Sequence, residues 1–377
     1  MASNGFTKAT VALLVVLFVV GLFVGGLAVS YFANSRISNL NGQITSLQSQ
    51  ISDLKGFQNV TYQSITILQN GTSLTSLYDS VRDSIVLIEG SISGGTQQGS
   101  GFVYNFNGTT VVLTNYHVVH GTTGLSVTFS DGRGYSAKVL GTDPYSDLAI
   151  VSVNAPTSEF KPLNIVSSST LAVGDSVIAI GNPYGLVGSL TTGVVSALGR
   201  TITENTTGGF AIANIIQTSA PINPGNSGGP LLNAVGNVIG ITTAIVSNSQ
   251  GLGFAIPSDT ILKEVDALIT TGSYSGHSYL GVTGEDMSYS LAQQSGSSVT
   301  YGWKIVSVVS GGPSDGKLKV GDIIIALNNQ TITNGDELAS YLEEHTLPGN
   351  TVVVTVVRGN MQVDVSVVLG SRPSPSS

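Results

Sequence analysis

A serine set among glycines, in Pro224-Gly225-Asn226-Ser227-Gly228-Gly229-Pro230, is the stretch of this chain best suited to chemistry. Glycines let a tight loop present a hydroxyl and turn backbone N–H groups toward one point. Acyl transfer needs both: an exposed nucleophile, and preorganised donors where the oxyanion of the tetrahedral intermediate forms. A hydroxyl is a weak nucleophile at neutral pH, so an imidazole must take its proton and a carboxylate must hold that imidazole in one tautomer. Two upstream residues fit those roles, His117 in Leu113-Thr114-Asn115-Tyr116-His117-Val118-Val119 and Asp147 in Asp143-Pro144-Tyr145-Ser146-Asp147-Leu148-Ala149-Ile150-Val151. The order along the chain is His, Asp, Ser.

Each of the three borders an apolar, β-branched run that reads as a strand, so a sheet scaffold is expected to hold them. The composition agrees: 47 Gly, 10% charged residues and many Val, Ile, Thr and Ser favour β-rich domains joined by tight turns. A length of 377 residues suits two domains with appendages. The chain has no cysteine, which excludes disulfides, thiolate-zinc sites and a cysteine nucleophile. The remaining histidines read as bystanders: His120 as a polar residue of the loop after His117, His277 and His345 as solvated residues in polar, turn-like surroundings. Four histidines so scattered argue against a metal site, and no phosphate-binding loop or other cofactor motif occurs. A net charge of -8 and a pI near 4.8 argue against a broad nucleic-acid surface.

Thr114-Asn115-Tyr116-His117-Val118-Val119, Ser146-Asp147-Leu148-Ala149, Ala179-Ile180-Gly181-Asn182-Pro183-Tyr184-Gly185, Gly225-Asn226-Ser227-Gly228-Gly229-Pro230 and Gly253-Phe254-Ala255-Ile256-Pro257 follow one another along the chain. With these blocks in this order, most of residues 78 to 370 resembles the HtrA (DegP/DegS-like) family of serine proteases. The resemblance implies a mostly β protein, with a trypsin-like double β-barrel over 78–271 and one PDZ domain over 278–370. It makes His117 the general base, Asp147 its orienter and Ser227 the nucleophile, with the N–H groups of Gly225 and Ser227 as the oxyanion hole. Residues matching the family's specificity pocket are Ile222, Ala244 and Ile245, with no acid to attract Lys or Arg, so cleavage is expected after small or medium aliphatic residues. In the PDZ part, Leu318 to Asn328 is the firmest match. Tyr279-Leu280-Gly281-Val282 resembles the loop whose N–H groups bind a peptide carboxylate while the peptide adds as a strand. Trimers, or multiples of them, are the implied assembly. One departure is Ser219, where the family commonly carries an acidic residue; it bears on regulation more than on catalysis.

The N-terminus bears on location. Residues 1–8 precede an uncharged run at 9–33, whose core from Val11 to Val29 is almost wholly Val, Leu, Phe, Gly and Ala. About 20 helical residues cross the roughly 30 Å hydrocarbon layer, so 9–33 is expected to be a transmembrane helix with 1–8 cytoplasmic and the rest outside the cytoplasm. Sequons at Asn59, Asn70, Asn107, Asn205 and Asn329 are compatible with that side. Ile37, Leu40, Ile44, Leu47, Ile51 and Leu54 form a short heptad seam, so 34–55 reads as a coiled-coil-like stalk. Residues 56–77 read as a linker and 371–377 as a disordered tail. The expected function is an ATP-independent, membrane-anchored endopeptidase for misfolded or C-terminally tagged proteins. A peptide-binding scaffold or chaperone with little turnover is the reading from another class.

Overall fold

The structure, a computed structural model, describes Arg36 and residues 42–46, 73–182, 188–203, 211–243 and 252–374. The predicted membrane span at 9–33 lies outside the described residues, as do residues 183–187, Ala244 and Ile245. Arg36 and residues 42–46 of the predicted stalk are helical. Among the described residues no helix is long and apolar enough to cross a membrane.

Helix α1 (Leu74–Val81) starts the described body, its first turn capped by the Ser73 hydroxyl, which accepts from Ser76 N at 3.0 Å. Here the sequence reading needs correcting, because Leu77 was assigned to the linker. It is buried in α1 together with Val81, because the helix needs an apolar face to dock. Strands β1 (Ile85–Ile92), β2 (Gly95–Phe106), β3 (Thr109–Asn115), β4 (Thr123–Thr128), β5 (Gly134–Asp143) and β6 (Leu148–Val153) follow, with the single turn α2 (Tyr116–Val119) after β3. They close into a barrel in the order β1-β2-β3-β6-β5-β4. Strands β7 (Ser176–Gly181), β8 (Ser189–Thr203), β9 (Ala211–Thr218), β10 (Pro230–Asn233), β11 (Val238–Thr243) and β12 (Gly253–Pro257) close a second, in the order β10-β11-β12-β9-β8-β7.

The period-two alternation of a strand explains why so many positions here are apolar on both faces. In β3, Val112 fills the first barrel, whereas Val111 and Leu113 point to a core shared between the barrels. In β7, Val177 and Ala179 fill the second barrel and Ile178 and Ile180 face the shared core. Helix α3 (Ser258–Thr270) adds Ile261, Val265 and Leu268 to that core. It approaches β5 so closely that a Cβ on Gly141 would lie 2.1 Å from Leu268 O. The cleft between two barrels that share one core is a rigid place to hold side chains from both.

The C-terminal part contains β13 (Ser278–Tyr279), β14 (Val282–Asp286), α4 (Tyr289–Ser295), β15 (Trp303–Val308), β16 (Ile323–Leu327), β17 (Gln330–Thr331), α5 (Gly335–His345), β18 (Thr351–Arg358), β19 (Met361–Val368) and β20 (Gly370–Ser371). The main sheet runs β14-β15-β16-β18-β19, which leaves β14 as an edge strand. Its separate core includes Leu280, Ile305, Ile324, Leu338, Val354 and Val367. The mostly β class expected from composition is therefore what the chain adopts.

The two parts meet through a buried ionic cluster that corrects the reading of His277 as solvated. His277 is 3% exposed. Its Nε2 lies 2.5 Å from Asp143 Oδ2 at the end of β5, and its Nδ1 lies 3.0 Å from Glu343 Oε2 on α5. Lys263 on α3 donates to Glu343 Oε1 at 2.8 Å, and Arg372 stands 3.7 Å from Glu343 Oε2. The tail reading also needs correcting at its start. Ser371 pairs in β20 with Ser278, Arg372 is largely buried, and Tyr145 donates its hydroxyl to Pro373 O. On the same face Asp336 of α5 accepts from Thr201 N at 3.1 Å, so α5 is also tied to β8.

Candidate active site

His117 sits in α2, one turn of helix placed directly after β3, and Asp147 sits in the tight connection from β5 to β6. Asp147 has φ 51, a left-handed conformation rare outside glycine and asparagine. Its backbone carbonyl accepts from Tyr116 N at 3.0 Å and Asn115 Nδ2 at 3.1 Å, which holds the strained residue in place. The carboxylate is wholly buried. It accepts from His117 N at 2.9 Å, faces His117 Nδ1 at 2.8 and 3.0 Å, and accepts from Thr243 Oγ1 at 3.2 Å. A buried carboxylate placed against Nδ1 in this way orients the ring with its proton on that nitrogen. Burial, and then the Asp147 charge, push the neighbouring Tyr116 phenol above its ordinary value, so that hydroxyl stays neutral.

Ser227 lies across the cleft, in the loop before β10. Gly225 and Gly228 have φ 96 and 86, open only to glycine at low cost. The loop is internally tied: Gly229 N donates to Asn226 O at 2.9 Å, and Gly228 N donates to Thr242 O at 2.9 Å. A Cβ on Gly228 would meet Ser100 O at 2.1 Å, so the loop is pressed against β2. The same pressing corrects the expectation of a bared serine, since Ser227 is only 6% exposed. Gly99 shows how near the loop is to the histidine turn: a Cβ there would touch Val118 Cγ2 at 2.6 Å and Ser227 O at 3.1 Å.

Two adjacent threonines of β11 link the parts. Thr242 Oγ1 donates to Asn226 O at 2.7 Å in the serine loop, whereas Thr243 Oγ1 reaches Asp147 on the other barrel. Successive strand residues point opposite ways, so one strand serves both groups. Neither threonine was singled out by the sequence; their place immediately before the predicted pocket residues Ala244 and Ile245 is the signal that was available. Ile222 is half-buried and packs against the core of the second barrel, 2.7 Å from where a Cβ on Gly253 would stand. Ser219, the departure from the family pattern, is used locally, its hydroxyl accepting from Val194 N at 3.0 Å and its N–H donating to Val194 O at 3.0 Å.

The predicted carboxylate loop lies at the mouth of a second site. Gly281 has φ 77, its carbonyl accepts from Val309 N at 2.9 Å, and Leu280 O accepts from Ser314 Oγ at 2.6 Å. Between the edge strand β14 and α5 runs a groove of about 460 Å³, lined by Leu280, Val282, Trp303, Leu338 and Leu342 among others. An edge strand beside an apolar trough can take an extended peptide as an added strand.

Metal chemistry has one candidate among the described residues, the cluster of Asp143, Glu264 and His277. Most of its polar atoms pair within the protein, while Glu264 Oε2 is buried without a hydrogen-bond partner. His277 bridges two carboxylates, Ser146 donates to Glu264 Oε1 at 2.7 Å, and burial followed by the Asp143 charge pushes the Glu264 carboxyl well above its ordinary value.

Residues 99–241 match the trypsin-like peptidase domain and residues 278–369 match the PDZ domain. The chain is 40% identical over 294 residues to Protease Do-like 1, chloroplastic, from Arabidopsis thaliana, covering 74% of this chain and 64% of that protein. It is 36% identical over 291 residues to the putative serine protease HhoA from Synechocystis sp., covering 74% of this chain and 72% of that protein. Across these and a DegP-like relative, the match spans from 54% to 72% of the relative's length. The solved HtrA-type protease AlgW with a tripeptide superposes with a TM-score of 0.66 at 32% identity, covering 81% of this chain and 99% of that one. Fold, cleft and relatives agree, and the chain belongs to the HtrA-type family of serine proteases.

Proposed function

We propose that this chain is a serine endopeptidase that cuts unfolded or C-terminally tagged proteins by acyl transfer. The observation that carries the reading is the wholly buried Asp147 carboxylate, which faces His117 Nδ1 at 2.8 Å and accepts its N–H at 2.9 Å, beside the Ser227 loop. With Nδ1 committed to the carboxylate, Nε2 of His117 is the nitrogen that takes the proton from Ser227 as its oxygen attacks the scissile carbonyl. The N–H groups of Gly225 and Ser227 then receive the oxyanion. His117 returns its proton to the leaving amine, and a water deprotonated by the same ring releases the acyl group. Ile222, with Ala244 and Ile245, forms the pocket for the residue before the cut bond. Profiling with a peptide library is expected to give cleavage after Val or Ala, and a preference for Lys or Arg would overturn that assignment.

The groove between β14 and α5 takes peptide C-termini, with Tyr279 to Val282 as the carboxylate loop. The apolar run at 9–33 anchors the protein in a membrane, with the protease outside the cytoplasm; the periplasmic designation of DegP-like relatives supports that side. The family resemblance supports assembly into trimers through the protease domains. No nucleotide or other cofactor enters the reaction, so substrates must arrive already unfolded.

The test uses the full-length chain in detergent, treated with a fluorophosphonate probe and mapped by mass spectrometry, with and without a peptide that binds the groove. The expected result is one adduct, on Ser227, and cleavage of casein by the unlabelled protein. Absence of any adduct while peptide binding persists would instead support a peptide-binding scaffold.

A further inference from the structure

Ser100 lies on β2 between Gly99 and Gly101, is wholly buried, and has every polar group engaged. Its N–H donates to Ser227 O at 2.8 Å, and its carbonyl accepts from Thr114 Oγ1 at 2.7 Å. Its hydroxyl donates to Gly225 O at 2.6 Å and accepts from Asn182 N at 2.7 Å. One residue thus ties the first barrel to both ends of the Gly225–Ser227 turn, its N–H holding Ser227 and its hydroxyl holding Gly225 and the segment at Asn182. The fit is close on either side: a Cβ on Gly99 would meet Val118 at 2.6 Å, and one on Gly101 would meet Ile88 and Val112 at 2.8 Å.

The contact with Gly225 bears on catalysis because of what that peptide unit does. Gly225 combines φ 96 with a carbonyl aimed at Ser100, and a glycine in that region of φ can rotate its carbonyl with little steric penalty. The plane of the Gly225–Asn226 peptide is held from both sides: within the loop Asn226 N donates to Asn223 O at 2.9 Å, and from outside the Ser100 hydroxyl donates to the Gly225 carbonyl at 2.6 Å. In the proposed reaction the N–H groups of Gly225 and Ser227 have to converge on one oxygen, and the carbonyl between them must point away from it. We infer that Ser100 is a positioning residue for the oxyanion hole, its hydroxyl holding the Gly225 carbonyl turned away from the developing oxyanion. The inference rests on the protease reading above and deepens it. Ser100 touches neither substrate nor reacting atoms.

Loss of the hydroxyl leaves a buried carbonyl and a buried N–H without this partner, and the loop gains freedom to turn the carbonyl elsewhere. Removing one oxyanion donor costs roughly 10²–10³ in kcat, so loosening the loop that carries both should cost about 10–100-fold. The experiment compares Ser100→Ala with wild type in the full-length chain, reading kcat and KM on a peptide substrate and the inhibition constant of a matching peptide boronate, whose tetrahedral adduct requires the same N–H groups. The expected result is a kcat lowered by at least about tenfold, KM within about twofold, and boronate affinity weakened in proportion to kcat/KM. A variant with kcat and boronate affinity close to wild type overturns the inference. So does a parallel fall of activity, peptide binding in the β14–α5 groove and thermal midpoint, which marks Ser100 as merely structural. If Ser100→Ala does not fold, Ser100→Cys, which keeps the volume and only a weak donor, must show the same split. An inactive wild type is a different result: it removes the protease reading itself, and the inference with it.

Discussion

Ser227→Ala is expected to lower kcat on casein by about 10⁶-fold, the scale seen when the nucleophile of a hydrolytic triad is removed. With the proposed nucleophile gone, what remains is hydrolysis by water beside an intact oxyanion hole and binding cleft. The fold should be unaffected. The bond that ties this residue to β2 runs from Ser100 N to the Ser227 backbone carbonyl, and alanine keeps it. KM and peptide binding in the β14–α5 groove should therefore stay near wild type. Adding His117→Ala to Ser227→Ala should cost nothing further, because the base has no proton to take once the hydroxyl is gone. Residual casein cleavage by Ser227→Ala within about tenfold of wild type would mean that another residue attacks.

His277→Ala should be strongly destabilising, by about 3–5 kcal/mol, because it leaves the buried Asp143 carboxylate without its cation while Glu343 keeps Lys263 and Arg372. Burial alone would lower the imidazole pKa, but hydrogen bonds to Asp143 and Glu343 and the attraction of both charges carry it from 6.5 up to about 9. Glu343 is pushed up by burial and pulled down further by its hydrogen bond to His277 and by the charges of His277, Lys263 and Arg372, to about 2. The direction of the pH effect follows. A raised imidazole stabilises fully below 6.5 and loses that contribution as pH climbs through about 9, whereas a lowered carboxyl stabilises fully above 4.5 and loses it as pH falls toward about 2. Thermal midpoints measured across pH should thus be highest between 4.5 and 6.5 and decline toward 9, and His277→Ala should flatten much of that decline. A wild-type midpoint that stays level from 6.5 to 9 would show that His277 is not the charged bridge described.

His117, Asp147 and Ser227 were legible in the sequence because each carries its chemistry inside a local block, and the glycines around Ser227 state in residue types what the backbone must do. The paired barrels were legible for a similar reason, since runs apolar at every position mark strands covered on both faces. His277 was not. Its immediate neighbours are polar, but its partners stand 134 and 66 residues away, and only folding brings Asp143 and Glu343 to the two ring nitrogens. Arg372 was hidden likewise, in a stretch whose prolines and serines suggest a free tail until Glu343 and Tyr145 are seen beside it. Ser100 escaped notice because a serine in a glycine-rich strand has no local mark of its role; its partners are again on the other barrel.

Thr242 and Thr243 carry a mechanical implication. The serine loop and the aspartate belong to different barrels, yet both are gripped by consecutive residues of one strand. Strand β11 thus gives the two a shared reference, added to the ties from Ser100 to the serine loop and from Asn115 and Tyr116 to Asp147. A shift of that strand along its axis would pull on the Asn226 carbonyl and the Asp147 carboxylate at the same time.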